Sequence, residues 1–146
     1  MSVDLDGVFY VSKAVLKVMM KQGSGKIINI ASIWGLGASA GVFPAPAYCA
    51  AKGGVVNLTR EMGLQYAKKG ITVNALCPGT HRTDIVTDLG EAAMDALKAY
   101  SPMGRTAAAS EIRGSVIFLA SAASNFMTGQ MLVADGGCLA GPGTHS

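Results

Sequence analysis

The feature that most constrains this chain is a rhythm of short β-branched runs set between helical stretches. Lys26-Ile27-Ile28-Asn29-Ile30-Ala31 is followed, after a loop and a long helical stretch, by Ile71-Thr72-Val73-Asn74-Ala75-Leu76. The first run has the continuous apolar character of a strand buried on both faces. The second is closed by Cys77-Pro78-Gly79, and a third strand, Gln130–Ala134, by Asp135-Gly136-Gly137. The segments between them carry helical signals. Leu5–Lys21 spaces Val8, Val11, Val15, Val18 and Met19 along a helix that stops at Gln22-Gly23-Ser24-Gly25. Ser32–Pro46 is a loop rich in Gly, Ala and Pro, and Ala47–Lys69 is a long helix ended by Gly70. Thr80–Gly90 is irregular, Glu91–Tyr100 is a short helix, and Ser110 is placed to cap a helix over Glu111–Ala122.

Helix and strand alternating three times is the order of a parallel α/β sheet with crossover helices. The expectation is a partial doubly wound sheet of about three strands. Three strands are few, so the first has an unpaired edge unless something covers it.

Composition narrows the classes of function. Half of the 146 residues are hydrophobic and only 14% are charged. That fits a chain that buries surface in an oligomer, or a piece of something larger. The net charge of +3 comes without a basic block, which argues against nucleic-acid binding. Lys13, Lys17 and Lys21 recur every fourth residue and read as a solvated helix face. Cys49, Cys77 and Cys138 form no C-x-x-C pair, so neither a zinc site nor a disulfide framework is expected, and reduced thiols in a cytoplasm are the default. Asn57-Leu58-Thr59 matches a glycosylation sequon by chance, inside a helical stretch. The apolar start, Val8 to Met20, is interrupted by Lys13 and Lys17, so it is neither a signal core nor a membrane span.

The chemistry lies in a small set of polar residues. Tyr48 and Lys52 have Y-x-x-x-K spacing near the start of the long helix, which puts both side chains on one face. A phenol in water ionises near pH 10, so a tyrosine acting as a base near neutrality needs its phenolate favoured by about 4 kcal/mol. A nearby ammonium and the positive start of a helix both act in that direction. Alone, the pair is a weak signal, since most such pairs on helices are surface coincidences. Ser32 adds context, since it follows the first strand, and ligands of open parallel sheets bind at the carboxyl ends of the strands. The Pro78-Gly79 loop falls on the same edge. The bland reading of Ser32 is a loop hydroxyl bonded to its own backbone.

The ordered set Asn29-Ile30-Ala31-Ser32, Tyr48-Cys49-Ala50-Ala51-Lys52, Asn74-Ala75-Leu76-Cys77-Pro78-Gly79 with Thr83, Gly104-Arg105, Thr128-Gly129 and Asp135-Gly136-Gly137 resembles the C-terminal motifs of the short-chain dehydrogenase/reductases. The resemblance implies a Rossmann-like fold in which residues 1–146 are the C-terminal part of a single domain. It implies hydride transfer between the nicotinamide of NAD or NADP and a secondary alcohol or ketone. Tyr48 would be the general acid/base, Lys52 would assist it and hold the nicotinamide ribose, and Ser32 would bond the substrate oxygen. Pro78, Gly79, Thr80 and Thr83 would line the nicotinamide site. Homo-oligomers built on the two long helices and the C-terminal strand are implied as well. No role for a metal, a nucleic acid or a membrane is implied.

Two departures from the family pattern stand out. In Val3-Asp4-Leu5-Asp6-Gly7, Asp4 takes the place of an asparagine whose main-chain carbonyl helps hold a water leading to the lysine in the family. Asp4 is therefore a candidate member of the catalytic set, with a helix N-cap as its bland reading. The second departure is the lack of the N-terminal T-G-x-x-x-G-x-G loop. Gly35-Leu36-Gly37-Ala38-Ser39-Ala40 matches a dinucleotide fingerprint, but Gly41, Pro44 and Pro46 follow where a helix should open, so it reads as a loop and not a phosphate cradle.

Other candidates are weaker. His81 lies on the loop after Gly79 and reads as solvated or substrate-facing, and His145 lies in the tail. Trp34 and Phe43 either flank a substrate pocket or pack on a helix. No G-x-S-x-G elbow supports a Ser/His/Asp hydrolase. Two functional readings remain: a chain that carries the chemistry of an alcohol dehydrogenase or carbonyl reductase, and a truncated, inactive fragment that acts by associating with full-length subunits.

Overall fold

The computed structural model describes residues 1–141, the side chain of Ile85 apart. The end of the tail, with His145, lies outside the described residues.

The helix–strand alternation folds as a parallel three-stranded sheet. Strand β1 (Gly25–Ile30) pairs with β2 (Ile71–Pro78) in a register running from Gly25↔Ile71 to Ile30↔Leu76. Strand β5 (Met131–Ala134) pairs with the other side of β2, from Ala75↔Met131 to Pro78↔Ala134. The order is therefore β1-β2-β5, with β2 in the centre. Helices α1 (Val8–Gln22) and α2 (Pro46–Tyr66) precede β1 and β2 in the chain. Leu16 of α1 and Met62 of α2 pack with Ile27, Ile71 and Val73. Val55 and Val56 of α2 pack with Ala31, Ala75 and Cys77. These strand residues alternate, so one face of the sheet meets both helices.

The opposite face receives α5 (Arg113–Ala120), and just beyond it Ser124 accepts a 3.1 Å hydrogen bond from Lys26 Nζ. With helices on both faces, the sheet is doubly wound and the expected fold class holds.

Local differences have physical causes. β1 is not buried on both faces, because Ile30 is 50% exposed. Among the described residues no strand pairs with its outer edge, and α5 covers the second face only in part. β2 runs two residues past Leu76 because β5 pairs with Cys77 and Pro78. The irregular segment after Gly79 contains a two-residue bridge, β3 (His81–Arg82) to β4 (Ala107–Ala108), and the one-turn helix α3 (Asp84–Thr87). Helix α4 is Glu91–Tyr100, as expected.

Ser110 does not cap α5. Ala108 sits at the start of a 3₁₀ turn over Ala109–Ile112, and its N–H is taken by Glu111 Oε2 at 2.7 Å. Arg105 clamps that carboxylate with two 2.8 Å bonds, which lowers the Glu111 carboxyl to about 2. Ser121 ends α5 in extended backbone. The first helix opens one turn earlier than α1 itself, in a wide π-helical turn over Ser2–Gly7. Lys13, Lys17 and Lys21 are exposed on α1, as a solvated face requires. Thr59 of the sequon is fully buried and donates to Val55 O at 2.8 Å.

Candidate active site

The carboxyl ends of β1 and β2 bring the candidate residues together. Ser32 lies two residues beyond Ile30, and Pro78 two residues beyond Leu76, the last positions that pair in the β1–β2 register. Ser32 is buried, and its Oγ accepts the Trp34 N–H at 3.2 Å as a short 3₁₀ turn begins over Ile33–Gly35. The bland expectation for Ser32 is thus part of the picture, since its hydroxyl does organise its own loop.

Trp34 is buried against Phe43 (centroids 6.3 Å apart) and Tyr100 of α4 (5.1 Å). The two loop aromatics therefore pack on a helix and on each other. The decoy glycine loop has a packing role at Gly35, where a Cβ would lie 2.6 Å from the Lys52 carbonyl oxygen. The loop backbone can press against α2 only without a side chain there.

Pro46 opens α2 in the first turn, where a missing N–H costs nothing. Tyr48 follows in that turn and is 38% exposed. One turn on, Lys52 is buried, with its ammonium 5.5 Å from the centroid of the Tyr48 ring. The ammonium donates to the carbonyl oxygen of Ile30 at 3.2 Å and pairs with Asp4 Oδ1 at 3.2 Å. Asp4 is not a helix N-cap, because it sits inside the Ser2–Gly7 turn and its carboxylate reaches Lys52. The Ile30 carbonyl is the member of the site that the sequence does not show. A main-chain oxygen has no residue signature, and only strand register places it beside α2.

Gly79 closes β2 with its N–H on Ala134 O at 2.9 Å. A Cβ at Gly79 would lie 2.7 Å from Asp135 Cα, so the Pro-Gly loop and the Asp-Gly-Gly turn after β5 approach too closely for any other residue. Asp135 holds that turn through its carboxylate, which accepts the N–H groups of Gly137 (2.8 Å) and Leu139 (2.9 Å). His81 is half-buried, and its Nδ1 lies 3.1 Å from Gly79 O. Thr83 is exposed, ahead of α3.

A cavity of about 220 Å³ opens beside this loop, lined by Thr80, His81, Ser101, Arg105, Asp135 and Cys138 among others. Ser32, Tyr48 and Lys52 do not line it, so it flanks the Ser–Tyr–Lys set and does not contain it. A separate groove of about 460 Å³ runs along the free side of β1 against α1 and includes Asp4 and Lys52.

The Cys77 thiol under Ser32 is pushed up to about 11, chiefly by burial, so it stays neutral and inert. Among the described residues no group of three or more His, Cys, Asp or Glu could hold a metal ion. No helix among them is long and apolar enough to cross a membrane.

Comparison with known proteins agrees with this fold. A family model described as enoyl-(acyl carrier protein) reductase matches residues 1–138. The cis-4-hydroxycyclohexanecarboxylate dehydrogenase of Sinomonas cyclohexanicum is 41% identical over 92% of this chain and 53% of its own length. The gluconate 5-dehydrogenase of Gluconobacter oxydans is 39% identical over 94% of this chain and 53% of its own. The crystal structure of a gluconate 5-dehydrogenase from Burkholderia cenocepacia, in complex with NADP and tartrate, superposes with a TM-score of 0.90 at 42% identity. That match covers 97% of this chain and 55% of the crystallised one. The chain thus spans about half the length of the relatives it matches. With a family model matched over nearly the whole chain and dehydrogenase relatives of about 40% identity and the same fold, the chain belongs to the short-chain dehydrogenase/reductase family.

Proposed function

We propose that this chain carries the catalytic half of an NAD(P)-dependent oxidoreductase that interconverts a secondary alcohol and a ketone. The observation that carries the reading is the placement of Lys52, a buried ammonium one helical turn from Tyr48 and beside the strand end that leads to Ser32. Tyr48 exchanges a proton with the substrate oxygen, and Ser32 hydrogen-bonds that oxygen and stabilises charge developing on it. Lys52 favours the phenolate and holds the nicotinamide ribose hydroxyls. Pro78, Gly79, Thr80 and Thr83 line the nicotinamide side of the site, where the two strand ends meet. Bound NAD or NADP supplies or accepts the hydride at the carbinol carbon.

The residues present fit the nicotinamide end of such a cofactor. Tyr48 and Lys52 offer a hydroxyl and an ammonium one helical turn apart. They do not supply a pyrophosphate cradle, since no glycine-rich loop in this sequence opens a helix.

We further propose a homo-oligomer working in a reducing compartment such as the cytoplasm. Exposed Phe9, Tyr10, Val11 and Val18 on α1 and Leu64 on α2 support association, and the free Cys49, Cys77 and Cys138 fit a reducing milieu. The second reading is a catalytically inactive chain that acts only as an oligomerisation partner. It is favoured by the exposed apolar side chains of α1 and α2, which fit association whether or not the chain turns over substrate.

Fluorescence titration with NADH and NADPH, followed by a panel of secondary alcohols, separates the two. Binding tighter than about 100 μM, with turnover abolished in Tyr48→Phe, supports the enzyme. Absence of binding, with capture of a full-length homologue, supports the association partner.

A further inference from the structure

Lys52 is held in an unusual way. A buried ammonium is costly unless its charge is paired and its N–H groups have acceptors. Lys52 meets that demand with two oxygens, Ile30 O and Asp4 Oδ1, both at 3.2 Å. The Lys52 side chain is 11% exposed and the Asp4 side chain 40%, so the carboxylate is the more exposed partner of the pair. The turn that carries Asp4 is anchored, since Leu5 packs against the cluster of Val55 and Val56 on α2, about one helical turn beyond Lys52. Asp4 is therefore kept at a fixed height on the helix that carries Tyr48 and Lys52.

We propose that Asp4 is a positioning residue for Lys52. Its side-chain carboxylate, in direct contact, does the work that the resemblance assigns to a main-chain carbonyl and a bridging water. Two of the three ammonium N–H groups are then engaged on the β1 side. One is left for Tyr48 and the ribose of a bound nucleotide. The inference rests on the reading of Lys52 as a residue of the oxidoreductase site.

The test uses the full chain labelled with ¹⁵N-lysine, reading ammonium hydrogen exchange by NMR at low temperature. Lys52 should exchange far more slowly than exposed Lys13, Lys17 and Lys21. Asp4→Asn should speed exchange at Lys52 by about fivefold, the scale of a partly exposed ion pair. Asp6→Asn, two residues on, should leave it unchanged. Equal Lys52 exchange in the wild type and Asp4→Asn, with matching amide fingerprints, overturns the proposal. If Asp4→Asn disturbs the fingerprint of the Ser2–Gly7 turn, Asp4→Glu decides. Exchange within about twofold of wild type supports the anchor, and a fivefold acceleration overturns it. NADPH titration of the same samples reports on the oxidoreductase reading alone. A chain that binds no nucleotide yet shows the exchange effect keeps the anchor and loses the reading.

Discussion

β1 and β2 are built from similar residues and live in different surroundings. Both mix β-branched side chains with one asparagine, and they pair residue for residue over six positions. In β2, Ile71, Val73, Ala75, Leu76 and Cys77 are all fully buried. In β1 only Ile27 and Asn29 are buried, and Ile30 is half exposed. The asparagines differ in the same sense. Asn74 is satisfied twice by the chain before β5, donating to Met127 O at 2.9 Å and accepting from the Gln130 N–H at 3.0 Å. Asn29 has one side-chain partner, donating to Thr59 Oγ1 at 2.9 Å.

Position in the sheet decides this. A central strand is covered on two edges and two faces, whereas an edge strand depends on the helices that pack on it. Both strands end at the candidate site. The stability of the site therefore comes mainly from β2, and the outer groove with Asp4 and Lys52 is the side with slack.

Substitutions can break or sharpen this contrast. The largest effect is expected in β2, where Leu76→Ala should lower unfolding free energy by about 2–5 kcal/mol in chemical denaturation. A loss no greater than that of a surface change would mean the central strand is not the keystone. Asn29→Ala should cost less, about 1–2 kcal/mol, because it removes one buried hydrogen bond and leaves Thr59 with its bond to Val55 O.

Cys77 offers a test gated by pH. Its thiol is held up at about 11 in the folded chain against an ordinary 9.0, so folding keeps it protonated. The sign follows by linkage: this contribution is complete below the unfolded value of about 9 and is lost as pH rises through about 11. Thermal melts across that window should fall more steeply for the wild type than for Cys77→Ala. Parallel slopes would show that the thiol is not shielded in β2. The smallest effect is expected at the open edge, where Ile30→Thr should change stability by within about 1 kcal/mol. A loss as large as that of Leu76→Ala would show that something covers β1 in solution.

The sequence alone places Ser32, Tyr48, Lys52 and Pro78 in one candidate site. The Tyr48–Lys52 spacing works because helical geometry is local, and four residues make about one turn whatever the tertiary setting. Ser32 and Pro78 are placed by another local rule, that loops after parallel strands emerge on one edge. What was not legible depends on contacts distant in sequence. The partner of Asp4 lies across the fold on α2. The bond from Lys52 to Ile30 O needs the register of β1, and the packing of Trp34 on Tyr100 joins a loop to a later helix. Ser110 suits a cap by residue type, yet it is Glu111 that reaches back to Ala108 and is fixed by Arg105.

The sequence by itself determined the order of helices and strands, their parallel sense and the Ser, Tyr and Lys that make up the candidate site. Periodicity, caps and motif spacing are properties of neighbouring residues. Only the tertiary structure decided which strand is central, how much of β1 is open, and that the Asp4 carboxylate meets the Lys52 ammonium. Burial and ion pairing depend on what the rest of the chain brings alongside, and two runs as alike as Ile27–Ile30 and Ile71–Leu76 hold no local record of it.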